Sequence, residues 1–108
     1  MASTAAKEQR YYPRVKPPKS VLAAWQAGTR RGVSFLESLS VGGLFVRTKE
    51  PLPVRCLVQI LLDLPLGQVR CRGIVRRVRE KHGFGVEIIA MEPSDRAKLF
   101  AQMRALLA

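Results

Sequence analysis

Between Ser20 and Ile88 the chain is a series of short runs in which apolar and polar residues alternate. Glycine, proline or small polar clusters interrupt the pattern roughly every 8–12 residues. A period of two is the signature of a strand, whose successive side chains point to opposite faces. Val21, Ala23 and Trp25 mark the first run, and Ala27-Gly28-Thr29 reads as a hairpin turn. Val33 and Phe35 carry a second strand to about Leu39; Ser40-Val41-Gly42-Gly43 breaks it, and Leu44-Phe45-Val46-Arg47 forms a third. After a loop with Pro51 and Pro53, Cys56, Val58, Ile60 and Leu62 alternate with Leu57, Gln59, Leu61 and Asp63. This fourth strand is apolar on nearly both faces, which predicts a cover over its outer side. Leu64-Pro65-Leu66-Gly67 turns the chain into a long strand, Gln68 to Arg79, whose alternation slips near Arg76-Arg77 as at a bulge. Lys81-His82-Gly83 turns again, and Phe84, Val86 and Ile88 make the sixth strand.

Six short antiparallel strands predict a small closed β-barrel, an all-β fold. Pro93-Ser94-Asp95 then starts a helix over 94–107, with Ser94 as the expected N-cap and Asp95 in the first turn. Leu99, Met103 and Leu106 recur at helical spacing, flanked by Phe100 and Leu107, so the helix packs on the barrel and covers a face or plugs an end.

The N-terminal part has a different texture. Residues 1–9 are small and polar, and read as a flexible tail. Residues 10–19 hold three prolines in ten positions, which excludes a helix and favours an extended arm. The expected organisation is a tail over 1–9 and a single domain over 10–108, made of arm 10–19, barrel 20–92 and helix 94–107. A chain of 108 residues supports one core, and 47% hydrophobic with 25% charged residues is a globular composition. No apolar run approaches the roughly 18 residues of a membrane span, and the N-terminus shows no apolar signal core. The expected location is therefore the cytoplasm, without membrane insertion, with Cys56 and Cys71 reduced and acting as small core residues.

The net charge of +11 is unevenly placed. Residues 1–31 hold seven basic residues and one acidic, and residues 70–82 hold six and one; the segments 32–69 and 83–108 hold three of each. All the excess charge thus lies in two stretches, and a fold that joins them makes a strong anion site. Nucleic acid, an acidic protein and a small phosphorylated ligand all satisfy that description.

Catalysis finds little support. His82 is the one histidine and sits in an apparent turn, the acids are scattered, and no phosphate-binding glycine loop or metal-ligand cluster is present. The expectation is a binding protein with no catalytic residues, no metal and no catalytic cofactor.

Two segments carry the candidate site. Arg10 and Arg14 stand four residues apart on the proline-stiffened arm, where both guanidiniums can bind one bulky anion by charge-assisted forks. Ser38 and Ser40, two apart, point to one face of a strand, and Gly42-Gly43 allows a tight turn and close approach by a ligand. Hydroxyls and free amides at such a turn can read the edge of a planar base.

Taken together, Arg10-x-x-x-Arg14 followed about two dozen residues later by Ser38-x-Ser40-x-x-Gly43 resembles the signature of PilZ domains, bacterial receptors for the second messenger cyclic di-GMP. Leu39 to Val46 looks like the family's hairpin, Gly73-Ile74-Val75 and Gly83 to Ile88 look like its later strands, and a helix follows. The resemblance covers about residues 8–107 and implies a six-stranded antiparallel barrel with a C-terminal helix. It implies that Arg10 and Arg14 bind the ligand's phosphates and one guanine, and that Ser40 with the Gly42-Gly43 turn holds the other. Position 38 departs from the pattern: the family usually has Asp or Asn there. A serine in place of a carboxylate forgoes a charge-assisted pair with guanine, about 1.5–3 kcal/mol or roughly 10- to 150-fold in affinity. The family residue before the first arginine influences whether one or two ligands bind; here it is Gln9, which leaves both open. Arg77 and Arg79 are further candidates from the second basic stretch.

The mechanism expected from the resemblance is an arm ordered on the barrel by cyclic di-GMP, creating a surface for an effector protein, with the apolar outer face near Leu57 and Leu61 or the helix stripe as the contact. Two other readings stand beside it. One is a PilZ-like adaptor that has lost the nucleotide with Ser38 and acts through protein contacts alone. The other is a small basic barrel for nucleic acid, which the scarcity of aromatics near basic residues disfavours.

Overall fold

The computed structural model describes Arg14 and residues 21–107. The tail over 1–9 and the remainder of the proline-rich arm lie outside the described residues.

The strands are β1 (Leu22–Ala27), β2 (Arg30–Leu39), β3 (Gly43–Arg47), β4 (Leu57–Leu64), β5 (Gly67–Arg79) and β6 (Gly83–Ala90), followed by α1 (Pro93–Leu107). They close a barrel in the order β1-β2-β3-β6-β5-β4, with every pairing antiparallel. Closure leaves no edge strand, so each ladder is satisfied on both sides. Gly28, at φ 60°, makes the tight β1–β2 turn that the sequence marks.

In β1, β3, β4, β5 and β6 the inward positions follow the predicted alternation; in β2 the apolar residues that mark the strand face outward, Val33 at 66% and Phe35 at 54% exposed. Ala23 and Trp25 from β1, Leu44 and Val46 from β3, Val58, Ile60 and Leu62 from β4, Val69 and Val75 from β5, and Phe84 and Val86 from β6 form one core. Trp25 meets Phe84 edge to face at 5.6 Å between ring centres. Each Val, Leu, Ile or Phe side chain among these, fully removed from water, contributes roughly 1.5–3 kcal/mol.

Helix α1 lies against β5 and the β4–β5 turn. Leu99 and Met103 enter the barrel core, while Gln102, also buried, accepts the Leu66 N–H through Oε1 at 2.9 Å. The helix therefore closes one end of the barrel. Of the expected stripe, Leu106 is half-buried and Phe100 is exposed. The helix also begins one residue before the expected start. The Arg96 N–H donates to Glu92 O at 2.9 Å, so Glu92 is the N-cap and Pro93 the first helical residue; Ser94, the expected cap, falls in the first turn. Proline suits that position because its missing N–H has no helical acceptor there.

Two departures from strict alternation shape the surface. The slip expected near Arg76-Arg77 is a register shift between Val75 and Arg77 in the β5–β6 pairing. A second shift, between Leu36 and Ser38, interrupts the β2–β3 pairing. Its effect on side chains is direct: Leu36 and Leu39 are both buried, leaving Glu37 and Ser38 both on the outer side. The predicted cover over β4 is not found among the described residues: Leu57 is 64% exposed and Leu61 half-buried. Apolar composition on both faces of a strand thus marks open surface here.

Candidate functional site

The β2 and β5 bulges, with β3 and β6 between them, build one outer face. Ser38 pairs with Phe45, Phe45 with Gly85, and Gly85 with Arg77, giving a row across β2, β3, β6 and β5. Glycine at 85 keeps the centre of this row low: a Cβ there would meet Arg77 Cβ at 3.5 Å and Phe45 Cδ2 at 3.6 Å. Phe45 is buried, yet its ring belongs to the outer side of β3 rather than to the barrel core. Arg79 covers it, with Cζ 4.5 Å from the ring centre, and the same guanidinium reaches Glu37 Oε2 at 3.3 Å. A cationic side chain thus spans the face from β5 to β2, stacked on an aromatic ring.

The turn after β2 forms the rim. Ser40 is buried, and its Oγ accepts the Gly42 and Gly43 N–H groups at 3.2 and 3.1 Å and lies 3.2 Å from Gly43 O, to which it donates. The Ser40 N–H donates to Gly43 O at 2.8 Å, and the Ile88 N–H to Gly42 O at 3.0 Å. Ser40 therefore acts as a clamp inside the turn, and the expected shared face with Ser38 does not extend to its hydroxyl: Ser40 lies past the end of β2, and its oxygen is committed to the turn. Gly43 is required by contact as well, since a Cβ there would stand 2.5 Å from Val86 O.

Arg14 docks on this rim. Its Nη1 donates to Ser38 Oγ at 3.3 Å across 24 residues of sequence, and its Nη2 stands 3.5 Å from where a Gly43 Cβ would be. Burial first, and then the nearby Arg77 charge, lower the Arg14 pKa from its ordinary value. The guanidinium stays charged at neutral pH and feels the Arg77 charge, and among the described residues neither has an acidic partner, an arrangement that an anion relieves. Arg76, the neighbour of Arg77 at the bulge, is occupied by Glu87 at 2.6 Å.

Of the residues singled out in the sequence, the structure gathers Arg14, Ser38, Gly43, Arg77 and Arg79 on one face, with Ser40 and Gly42 in its supporting turn. Gln9 and Arg10 lie outside the described residues. Glu37, Phe45 and Gly85 were not singled out as site residues. Phe45 reads as one more core position in an apolar run, and Glu37 shares the outer side with Val33 and Phe35, apolar residues that do not look outward in the sequence. No group of three or more His, Cys, Asp or Glu that could hold a metal occurs among the described residues, and no described helix is long and apolar enough to cross a membrane.

A family model described as PilZ domain matches residues 8–105. No curated protein matches the chain by sequence. Among solved structures, the Bacillus subtilis inhibitor of motility MotI (DgrA) is 24% identical, with a TM-score of 0.69 over 92% of this chain and 51% of that one. The Klebsiella pneumoniae MrkH–c-di-GMP complex gives a TM-score of 0.77 at 15% identity, covering 91% of this chain and 52% of that one. The PilZ domain of Escherichia coli YcgR with c-di-GMP gives 0.66 at 16% identity, covering 90% and 93%. The chain spans about half the length of MotI and MrkH; at these identities the likeness is one of fold.

Proposed function

This chain belongs to the PilZ domain family, and from that premise we propose that it binds cyclic di-GMP on the Arg14–Ser38–Gly43 face and passes the signal to a partner protein in the cytoplasm. The observation that carries the reading is the docking of Arg14 on Ser38 and Gly43 beside Arg77. Two guanidiniums with no acidic partner among the described residues, over a glycine turn, suit a ligand with two phosphodiester charges and flat bases. Arg14, with Arg10 from the same arm, binds phosphate and guanine edges through forked hydrogen bonds. Ser40 serves by holding the Gly42 and Gly43 amides in place, and Ser38 takes the position where a carboxylate would hold guanine more strongly. Arg77 adds field strength, and the planar Arg79 guanidinium offers a stacking surface for a base. The domain runs over 10–108, and the arm over 10–19 is the part that the ligand fastens to the barrel.

The test is calorimetric titration with cyclic di-GMP at near-physiological salt, with GTP as control and Arg14→Ala alongside. Micromolar or tighter binding that the variant loses supports the reading; absence of binding, confirmed by a second method, overturns it.

A second reading, an adaptor that works through protein contacts alone, is favoured by the opposite face. Val33 is 66% exposed and Leu57 64%, with Ala24 and Leu61 half-buried between neighbouring strands. These residues belong to the floor of an outer groove of about 800 Å³ and its extension, crossing β2, β1, β4 and β5 with Arg31, Arg70 and Arg72 along it. An apolar face rimmed by charge is a common form of protein-binding surface.

A further inference from the structure

Glu37 is an acid on the cationic face, and it holds an arginine of that face. It continues the outward phase of Val33 and Phe35, and the β2 bulge turns Ser38 out beside it, on the same side as Arg14, Arg77 and Arg79. Its Oε2 takes an Arg79 Nη2 hydrogen bond at 3.3 Å, and Arg79 is held flat over Phe45 at 4.5 Å. Glu37 and Arg79 lie 42 residues apart in sequence and at opposite sides of the four-strand row, so the pair bridges the whole face. Arg14 and Arg77 have no acidic partner among the described residues. One of the three arginines is thus occupied by an internal anion, and two are not.

We infer that Glu37 is an internal competitor for the ligand: its carboxylate holds Arg79 in the free chain, and a bound nucleotide phosphate takes its place. This rests on the cyclic di-GMP reading. Both side chains are substantially exposed, at 53% and 39%, so the bridge is screened and readily broken. That suits a competitor better than a structural lock. Phe45 keeps the guanidinium over the face after Glu37 releases it, so Arg79 changes partner without changing place. Removing the Glu37 charge makes the face one charge more positive, so Glu37 sets affinity.

The experiment is a double-mutant cycle read by calorimetry with cyclic di-GMP: wild type, Glu37→Gln, Arg79→Ala and the pair, each checked for an unchanged thermal midpoint. A like charge beside a bound phosphate in a largely aqueous setting weakens binding by roughly 3- to 10-fold. Glu37→Gln is therefore expected to tighten binding by that factor, and to do so only where Arg79 is present. The Arg79 Nε–Hε resonance is expected to shift on adding ligand to wild type. Unchanged or weaker binding by Glu37→Gln, in a wild type that does bind, overturns the inference and leaves the nucleotide reading intact. An equal gain in the Arg79→Ala background also overturns it, since the effect is then a general field. No binding by wild type or by Glu37→Gln overturns both.

Discussion

Ser38 and Ser40 are two residues apart and do different work. Ser38 meets a guanidinium at the surface, whereas Ser40 spends its oxygen on the turn. Their substitutions separate accordingly. Ser38→Asp supplies the carboxylate that the family usually has and is expected to tighten cyclic di-GMP binding about 10-fold or more, read by titration. Ser40→Ala leaves the Gly42 and Gly43 amides without their acceptor and is expected to cost about 1–3 kcal/mol of stability by chemical denaturation, together with weaker ligand binding. Cys71 gives a prediction in pH. Burial, and then the Asp95 charge, push its thiol from 9.0 to about 12 in the folded chain. The unfolded thiol ionises near its ordinary value, so above it the unfolded state binds fewer protons, and stability falls as pH rises from about 9 towards 12. Cys71→Val is expected to flatten that fall relative to wild type in denaturation curves recorded across this range, and a slope equal to wild type would exclude Cys71 as its source.

At the scale of elements, the strands were legible because each inner face must be apolar for the barrel to have a core. The β4 alternation of Val58, Ile60 and Leu62 survives unchanged into the structure. What could not be read was the phase of β2: Val33 and Phe35 are apolar yet face outward, so Glu37 lies on the outer side with them, and the register shift after Leu36 turns Ser38 out beside it. The outer side of β4 failed for a related reason, since exposed and covered apolar residues look alike without the neighbouring element. The helix cap failed because Ser94 has the side chain of a cap while Pro93 already has the backbone of a first helical residue. Helix α1 contributes to stability through Leu99 and Met103 in the barrel end. Leu99→Ala is expected to lower unfolding free energy by about 2–5 kcal/mol, measured by denaturant titration.

Across the whole molecule, closure of the barrel separates two outer regions: a cationic one built on β2, β3, β6 and β5, and an apolar groove crossing β2, β1, β4 and β5. The two excess-charge stretches do meet, since Arg14 from the first lies beside Arg77 from the second. Only part of the net charge of +11 gathers on the cationic face, since Arg31, Arg70 and Arg72 of the same stretches line the groove instead. Because the core runs from Val21 to Met103, removal of residues 1–19 is expected to leave a cooperatively unfolding barrel that no longer binds cyclic di-GMP, with circular dichroism and titration reading the two effects separately. The central claim is that this face is a nucleotide site, and amide chemical-shift mapping of labelled protein titrated with cyclic di-GMP tests it most directly. The account predicts saturable shifts at Ser38, Ser40, Gly42, Gly43, Arg77 and Gly85, absent in Arg14→Ala. Shifts confined to the β1–β4 groove, or none at millimolar ligand, would contradict it.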